Sequence, residues 1–136
     1  MSHLLIDTGP LVALIDRRDR HHVWTREFFE TVKPPVSTCE PVLTEACFLL
    51  RAIGADDAVL ELMEKGILTV PFRVLPELKW IRMLMRKFAD APMSLADACL
   101  VRMTELNERS VIVTFDSDFS VYRRNRRQVV PTIMPE

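Results

Sequence analysis

The sequence predicts an α/β fold: a three-layer α/β/α sandwich around a mainly parallel central sheet. Three observations point there. Short β-branched or Leu-rich runs alternate with helical stretches from one end of the 136-residue chain to the other. The runs are apolar at consecutive positions, the pattern of strands covered on both faces. Two of them, Leu4 to Ile6 and Val111 to Phe115, end directly on an acid, Asp7 and Asp116, and in such sheets ligands gather at the carboxyl ends of the strands. No repeat, low-complexity stretch or linker divides the chain, so residues 1–136 read as one domain.

In order along the chain, His3 to Asp7 reads as a buried strand followed by the turn Thr8-Gly9-Pro10. Leu11 to Ile15 is a helix with Pro10 in its first turn, where the missing N–H costs nothing. His22 to Val32 places Trp24, Phe28, Phe29 and Val32 near helical spacing and is stopped by Pro34-Pro35. Val36 to Cys39 is a second short strand. Pro41 opens a helix through Ile53, with Gly54 as its C-terminal cap. Asp56 to Lys65 is another amphipathic helix, ended by Gly66. Ile67 to Phe72 reads as a strand, Pro76 to Phe88 as a helix, and Ser94 to about Asn107 as the next helix. Val111 to Phe115 is the clearest strand, and Val129-Val130 with Thr132-Ile133 supply a last edge strand.

Composition bounds the function. Hydrophobic residues make up 49% and charged residues 27%, enough for a sizeable core. Eighteen Lys and Arg against 19 Asp and Glu leave a net charge of −1. This excludes a protein drawn onto nucleic acid by bulk positive charge but leaves room for a local basic patch. The longest apolar runs, such as Leu11 to Ile15 and Ala46 to Leu50, fall far short of the about 20 residues that span a bilayer. The N-terminus carries no signal-like segment, so a cytoplasmic protein without membrane contact is expected. Cys39, Cys47 and Cys99 are odd in number and lack Cys-x-x-Cys spacing, and they read as small buried hydrophobes. Gly9, Gly54 and Gly66 form no Gly-rich phosphate loop, which excludes P-loop and dinucleotide-binding folds.

Four acids do not suit their surroundings. Asp7 and Asp116 follow apolar strands, where either could be a plain turn or cap residue. Glu45 lies in Pro41-Val42-Leu43-Thr44-Glu45-Ala46-Cys47-Phe48-Leu49-Leu50 with Pro41, Val42, Phe48 and Leu49 three and four positions away. That spacing predicts a carboxylate on the inward face of its helix, costly unless a distant group neutralises it. The plain alternative is an ion pair with an Arg of another helix. Asp97, in Ser94-Leu95-Ala96-Asp97, has the spacing of a capping box, yet it opens a buried helix start. A parallel sheet can bring all four to one end. Clustered carboxylates raise one another's pKa unless a cation is present. A pure oxygen ligand set without His or Cys suits Mg²⁺ or Mn²⁺ better than zinc, and such ions activate water in phosphodiester cleavage. His3, His21 and His22 read as surface residues.

The ordered set Leu4-Leu5-Ile6-Asp7-Thr8-Gly9-Pro10-Leu11, Pro41-Val42-Leu43-Thr44-Glu45, Ser94-Leu95-Ala96-Asp97-Ala98 and Thr114-Phe115-Asp116-Ser117-Asp118-Phe119 resembles the PIN domain over essentially the whole chain. A free-standing domain this short is most similar to the VapC toxins of bacterial and archaeal toxin–antitoxin pairs. The resemblance implies a metal-dependent endoribonuclease with Mg²⁺ or Mn²⁺ held by Asp7, Glu45, Asp97 and Asp116. It also implies a homodimer and a small antitoxin partner that blocks the site. Thr8 matches the family's site-organising hydroxyl; Thr114 is a second candidate for that role, and Asp118 a supporting acid beside Asp116. The chain departs from the pattern at Phe115, where many of these toxins carry Asn or Arg.

A nuclease needs cations for its substrate's phosphates. Arg123, Arg124, Arg126 and Arg127 form one basic run after Asp116, and Arg17, Arg18 and Arg20 form another after the first helix. Each could lie beside the acids or be an ordinary solvated face; the first run is the RNA-binding candidate, and the second is offset by Asp16 and Asp19. Trp24, Phe28 and Phe29 read as core or dimer surface. Asp116-Ser117-Asp118 also resembles a haloacid dehalogenase-like phosphatase motif, but no Lys or Asp follows Asp118 to complete that chemistry. A receiver domain fails similarly, since the last Lys is Lys87. A non-toxin PIN nuclease of RNA processing and a catalytically idle PIN-fold binding module remain as alternatives.

Overall fold

The computed structural model describes residues 3–136. Strand β1 (His3–Ile6) leads into helices α1 (Thr8–Ile15) and α2 (His22–Glu30), and β2 (Val36–Ser37) into α3 (Glu40–Arg51) and α4 (Asp57–Glu64). After β3 (Leu68–Thr69) come a 3-10 turn at Leu75–Glu77, α5 (Leu78–Lys87) and α6 (Leu95–Leu106). Strand β4 (Ser110–Val113) is followed by a 3-10 turn at Ser117–Ser120, a small hairpin of β5 (Arg123–Arg124) and β6 (Gln128–Val129), and β7 (Thr132–Ile133).

The main sheet has the order β3-β2-β1-β4-β7, and every neighbouring pair is parallel. Leu5 stands opposite Ser37 on one side and Ile112 on the other. Leu5, Ile6, Ile112 and Val113 are buried, as strands covered on both faces require. The chain builds outward from β1 through β2 to β3, then returns to the opposite side of β1 with β4. The strand order therefore reverses between β1 and β4, and in open parallel sheets the crevice beyond that reversal is where ligands bind. Asp7 and Asp116 lie just past the ends of these two strands.

Several elements are shorter than their apolar runs. The run Ile67 to Phe72 is a strand only at Leu68–Thr69, because Pro71 has no N–H for a ladder. Val129 does not reach the main sheet. Left-handed backbone at Asn125 (φ 48°) and Arg126 (φ 75°) turns the chain back, so Val129 pairs antiparallel with Arg123. Only Thr132–Ile133 forms the edge strand.

Helix α3 buries Val42, Ala46 and Leu50, a stripe at four-residue spacing, and leaves Phe48 and Leu49 exposed at 69% and 49%. This overturns the inward placement of Glu45: with Phe48 and Leu49 outside, Glu45 shares their exposed side. Gly54 closes the helix with a left-handed φ of 68°, which lets Ala55 N–H donate back to Leu50 O. At the other end of the fold, Ser94 caps α6. Its Oγ accepts from Asp97 N, and Asp97 Oδ2 accepts from Ser94 N. Cys39 and Cys99 are buried free thiols, and Cys47 is half-buried.

A candidate acidic active site

Asp7 is placed by continuation of the ladder: its N–H donates to Val113 O at 3.0 Å after β1 has ended. It is also the N-cap of α1, with Oδ1 accepting from Thr8 N at 2.8 Å. Oδ2 accepts from the Thr114 hydroxyl at 2.7 Å, and the same Thr114 oxygen accepts from Asp116 N at 3.0 Å. One buried threonine thus ties together two acids that follow different strands, from behind the cavity lining. Burial pushes the Asp7 carboxyl up to about 6. The Thr114 and Thr8 bonds oppose that rise, and the negative charges of Asp97 and Asp116 add to it.

Asp97 serves as a cap and lines the pocket at once, so its two sequence readings are not alternatives. Besides its bond from Ser94, Oδ2 accepts from the Tyr122 hydroxyl at 2.7 Å. The Tyr122 ring is fully buried, edge-on to Phe88 and Phe119 at 5.4 and 5.1 Å. Burial raises the Asp97 pKa; the Tyr122 and Ser94 bonds pull it down, and Asp116 pushes it further up. Tyr122 carried no sequence signal as a site residue, because its partner lies 25 positions earlier. Asp116 caps the following 3-10 turn, its Oδ1 accepting from Asp118 N at 2.9 Å.

These side chains meet in one open cavity of about 480 Å³ lined by Asp7, Glu45, Asp97, Asp116 and Asp118, together with Thr8, Gly9, Ser94 and Phe115. Glu45 contributes from the rim. Among the described residues no Lys, Arg or His lines the cavity. Thr8 Oγ1 is buried there without a hydrogen-bond partner. Among the described residues no three His, Cys, Asp or Glu side chains form a ready-made metal cage. The donor set nevertheless fits a hard cation such as Mg²⁺, which is typically held by one or two carboxylates and keeps several waters. Five carboxylates and an unpartnered hydroxyl offer that pattern.

The arginines are distributed differently from a single strip. The β5–β6 hairpin splits the run Arg123 to Arg127. Arg123 and Arg126 line a separate depression with Trp80 and Met83. Arg124 Nη1 donates to the Thr104 and Glu108 carbonyls at 3.0 and 3.2 Å, and Arg127 is exposed. None of the four lines the acidic cavity. Arg20, from the run read as solvated, lines a neighbouring depression that shares Thr8, Gly9, Glu45 and Phe115 with the acidic one. His21 and His22 are half-buried, His21 against Phe115 and His22 Nδ1 against Ala13 O at 2.6 Å.

The PIN domain family model matches residues 4–125. Among solved structures, the chain is similar to the crystal structure of Mycobacterium tuberculosis VapC20, described as a sarcin–ricin loop cleaving toxin. The TM-score is 0.78 and the identity 21%, over 87% of this chain and 93% of that one. No curated protein matches. The likeness to VapC20 is one of fold; together with a family match over nearly the full length, it places the chain in the PIN domain family.

Proposed function

We propose that this chain is a divalent-metal-dependent endoribonuclease, the toxin of a VapBC-type pair, acting as a single domain over residues 1–136. The observation that carries the reading is the convergence of Asp7, Glu45, Asp97 and Asp116 on one cavity at the reversal of strand order. These four would hold Mg²⁺ or Mn²⁺. Bound there, the ion would supply an activated water and stabilise the leaving oxygen of a phosphodiester. The chain's own residues set the donor geometry. Thr8 N and the Thr114 hydroxyl fix both oxygens of Asp7, Tyr122 fixes Oδ2 of Asp97, and Asp118 N fixes Oδ1 of Asp116. Thr8 Oγ1 is placed to hold a further oxygen ligand. Without a cation, five acids repel an RNA phosphate, so substrate binding is tied to metal binding.

RNA as the substrate class is supported by the family and by the described activity of VapC20. The same reading includes a homodimer, a small antitoxin that blocks the acidic cavity, and a cytoplasmic setting. No helix among the described residues is long and apolar enough to cross a membrane. The test is cleavage of single-stranded and structured RNA by purified protein with Mg²⁺ or Mn²⁺, abolished by chelator. Asp97→Asn keeps an acceptor for Tyr122, so the variant should fold and be inactive. Full activity in that variant overturns the proposal.

A further inference from the structure

The depression next to the acidic cavity has about 480 Å³ of its own, within the roughly 300–1,000 Å³ typical of ligand sites. Its floor is aromatic. The His21 ring lies against Phe115 at 4.3 Å with a 39° tilt, and Trp24 meets Phe115 edge-on at 5.9 Å. Trp24 in turn stacks on Phe28 at 5.4 Å and 1°. Phe115 and His21 are only partly buried, so the ledge has an open side. Residue 9 leaves room for it: a Cβ there would sit 3.0 Å from Phe115 Cδ2, so any larger residue would press the ring back by a few tenths of an ångström. Phe115 stands between Thr114 and Asp116, both locked to Asp7 through the Thr114 hydroxyl, so the ring is held in register with the acids. Beside the rings, Arg20 Nε donates to His21 Nε2 at 3.1 Å, and both residues line the depression. Asp19, which also lines the depression, is occupied by His21 N–H at 2.8 Å.

We infer that this ledge is a nucleotide subsite: the base flanking the scissile phosphate stacks on Phe115 and His21, and Arg20 takes the adjoining phosphate. The inference rests on the nuclease reading of the acidic cavity and says where the substrate runs beside it. Aromatic faces accept any base, because every base has a π-face, whereas a cation on the same wall suits a phosphodiester chain. Continuity with the acids favours a nucleic-acid strand over a protein segment, since one strand crossing both depressions would bring a phosphate to the carboxylates.

The probe is a single-stranded RNA oligonucleotide carrying 2-aminopurine at one position, titrated with Mn²⁺ present into protein in the Asp97→Asn background. The fluorescence should be quenched at the position next to the cleavage point. Phe115→Leu, which keeps apolar bulk without a π-face, should weaken affinity roughly 5- to 100-fold, and Phe115→Trp should restore it. In the otherwise unaltered enzyme the Phe115→Leu loss should fall on KM more than on kcat. Arg20→Ala, an exposed change, should weaken binding uniformly across sequences and lower the salt slope by about one, which keeps the test valid if Phe115→Leu fails to fold. If RNA is cleaved but Phe115→Leu and Arg20→Ala leave affinity and KM unchanged, the subsite is wrong and the nuclease assignment stands. If no RNA is cleaved yet Phe115-dependent quenching is seen, the reverse holds. A Phe115→Leu variant that changes oligomeric state but not oligonucleotide affinity marks the ledge as a protein contact and overturns the inference.

Discussion

Asp7→Asn removes a charge from a carboxyl that is only 8% exposed and faces two other acids. Burial lifts its pKa from the ordinary 3.8 to about 6. At about 1.4 kcal/mol per pKa unit, the charged form costs the fold about 3 kcal/mol at neutral pH in the absence of metal. The sign follows from the direction of the shift. Between about pH 4 and 6 the folded state binds the proton and the unfolded state does not, so this group's contribution is full below the unfolded pKa and is lost as pH rises through the folded one. Asn keeps the acceptor for Thr8 N–H but turns an amide donor toward the Thr114 hydroxyl, at a cost of about 1 kcal/mol for the bond left unmade. The variant should thus be about 2 kcal/mol more stable than the parent at pH 7.5 in chelator, and about 1 kcal/mol less stable near pH 3, below the unfolded pKa. Urea unfolding at both pH values reads the change of sign. A destabilised Asp7→Asn at pH 7.5, or a difference that is the same at both pH values, would refute the argument that burial strains this carboxylate.

The same electrostatics predict that Mn²⁺ raises the stability of the parent protein by mass action, about 2.7 kcal/mol at a hundredfold excess over Kd; Asp7→Asn should show a much smaller gain in the same melts. Tyr122→Phe deletes a buried hydroxyl that donates to a carboxylate, which should cost about 1.5–3 kcal/mol in urea unfolding and raise the Asp97 pKa further. Glu45→Gln, on an exposed helix face, should leave stability within about 0.5 kcal/mol while RNA cleavage falls roughly 10- to 100-fold. An unchanged cleavage rate there would remove Glu45 from the site.

Local signals in the chain carried the alternation of strands and helices, the acids at the ends of β1 and β4, and the Ser94 cap with its Asp97 partner. Each depends on a few consecutive residues: an apolar run covered on both sides, a strand-to-helix turn, a hydroxyl three positions before an acid. The phase of α3 was not legible, because Phe48 and Leu49 look as core-forming as Ala46 and Leu50 until neighbouring elements choose which stripe to cover. Tyr122 was invisible as the partner of Asp97, and the arginines read as one strip until left-handed backbone at Asn125 and Arg126 folded them into a hairpin.

By itself, then, the amino-acid order determined which acids could matter and on which kind of element each would sit. Only the tertiary structure decided that the crossover after β3 brings β4 back beside β1, setting Asp116 next to Asp7 with Thr114 between them. That meeting is a property of strand order, and strand order arises from how whole layers cover one another, an energy shared by residues far apart in the chain.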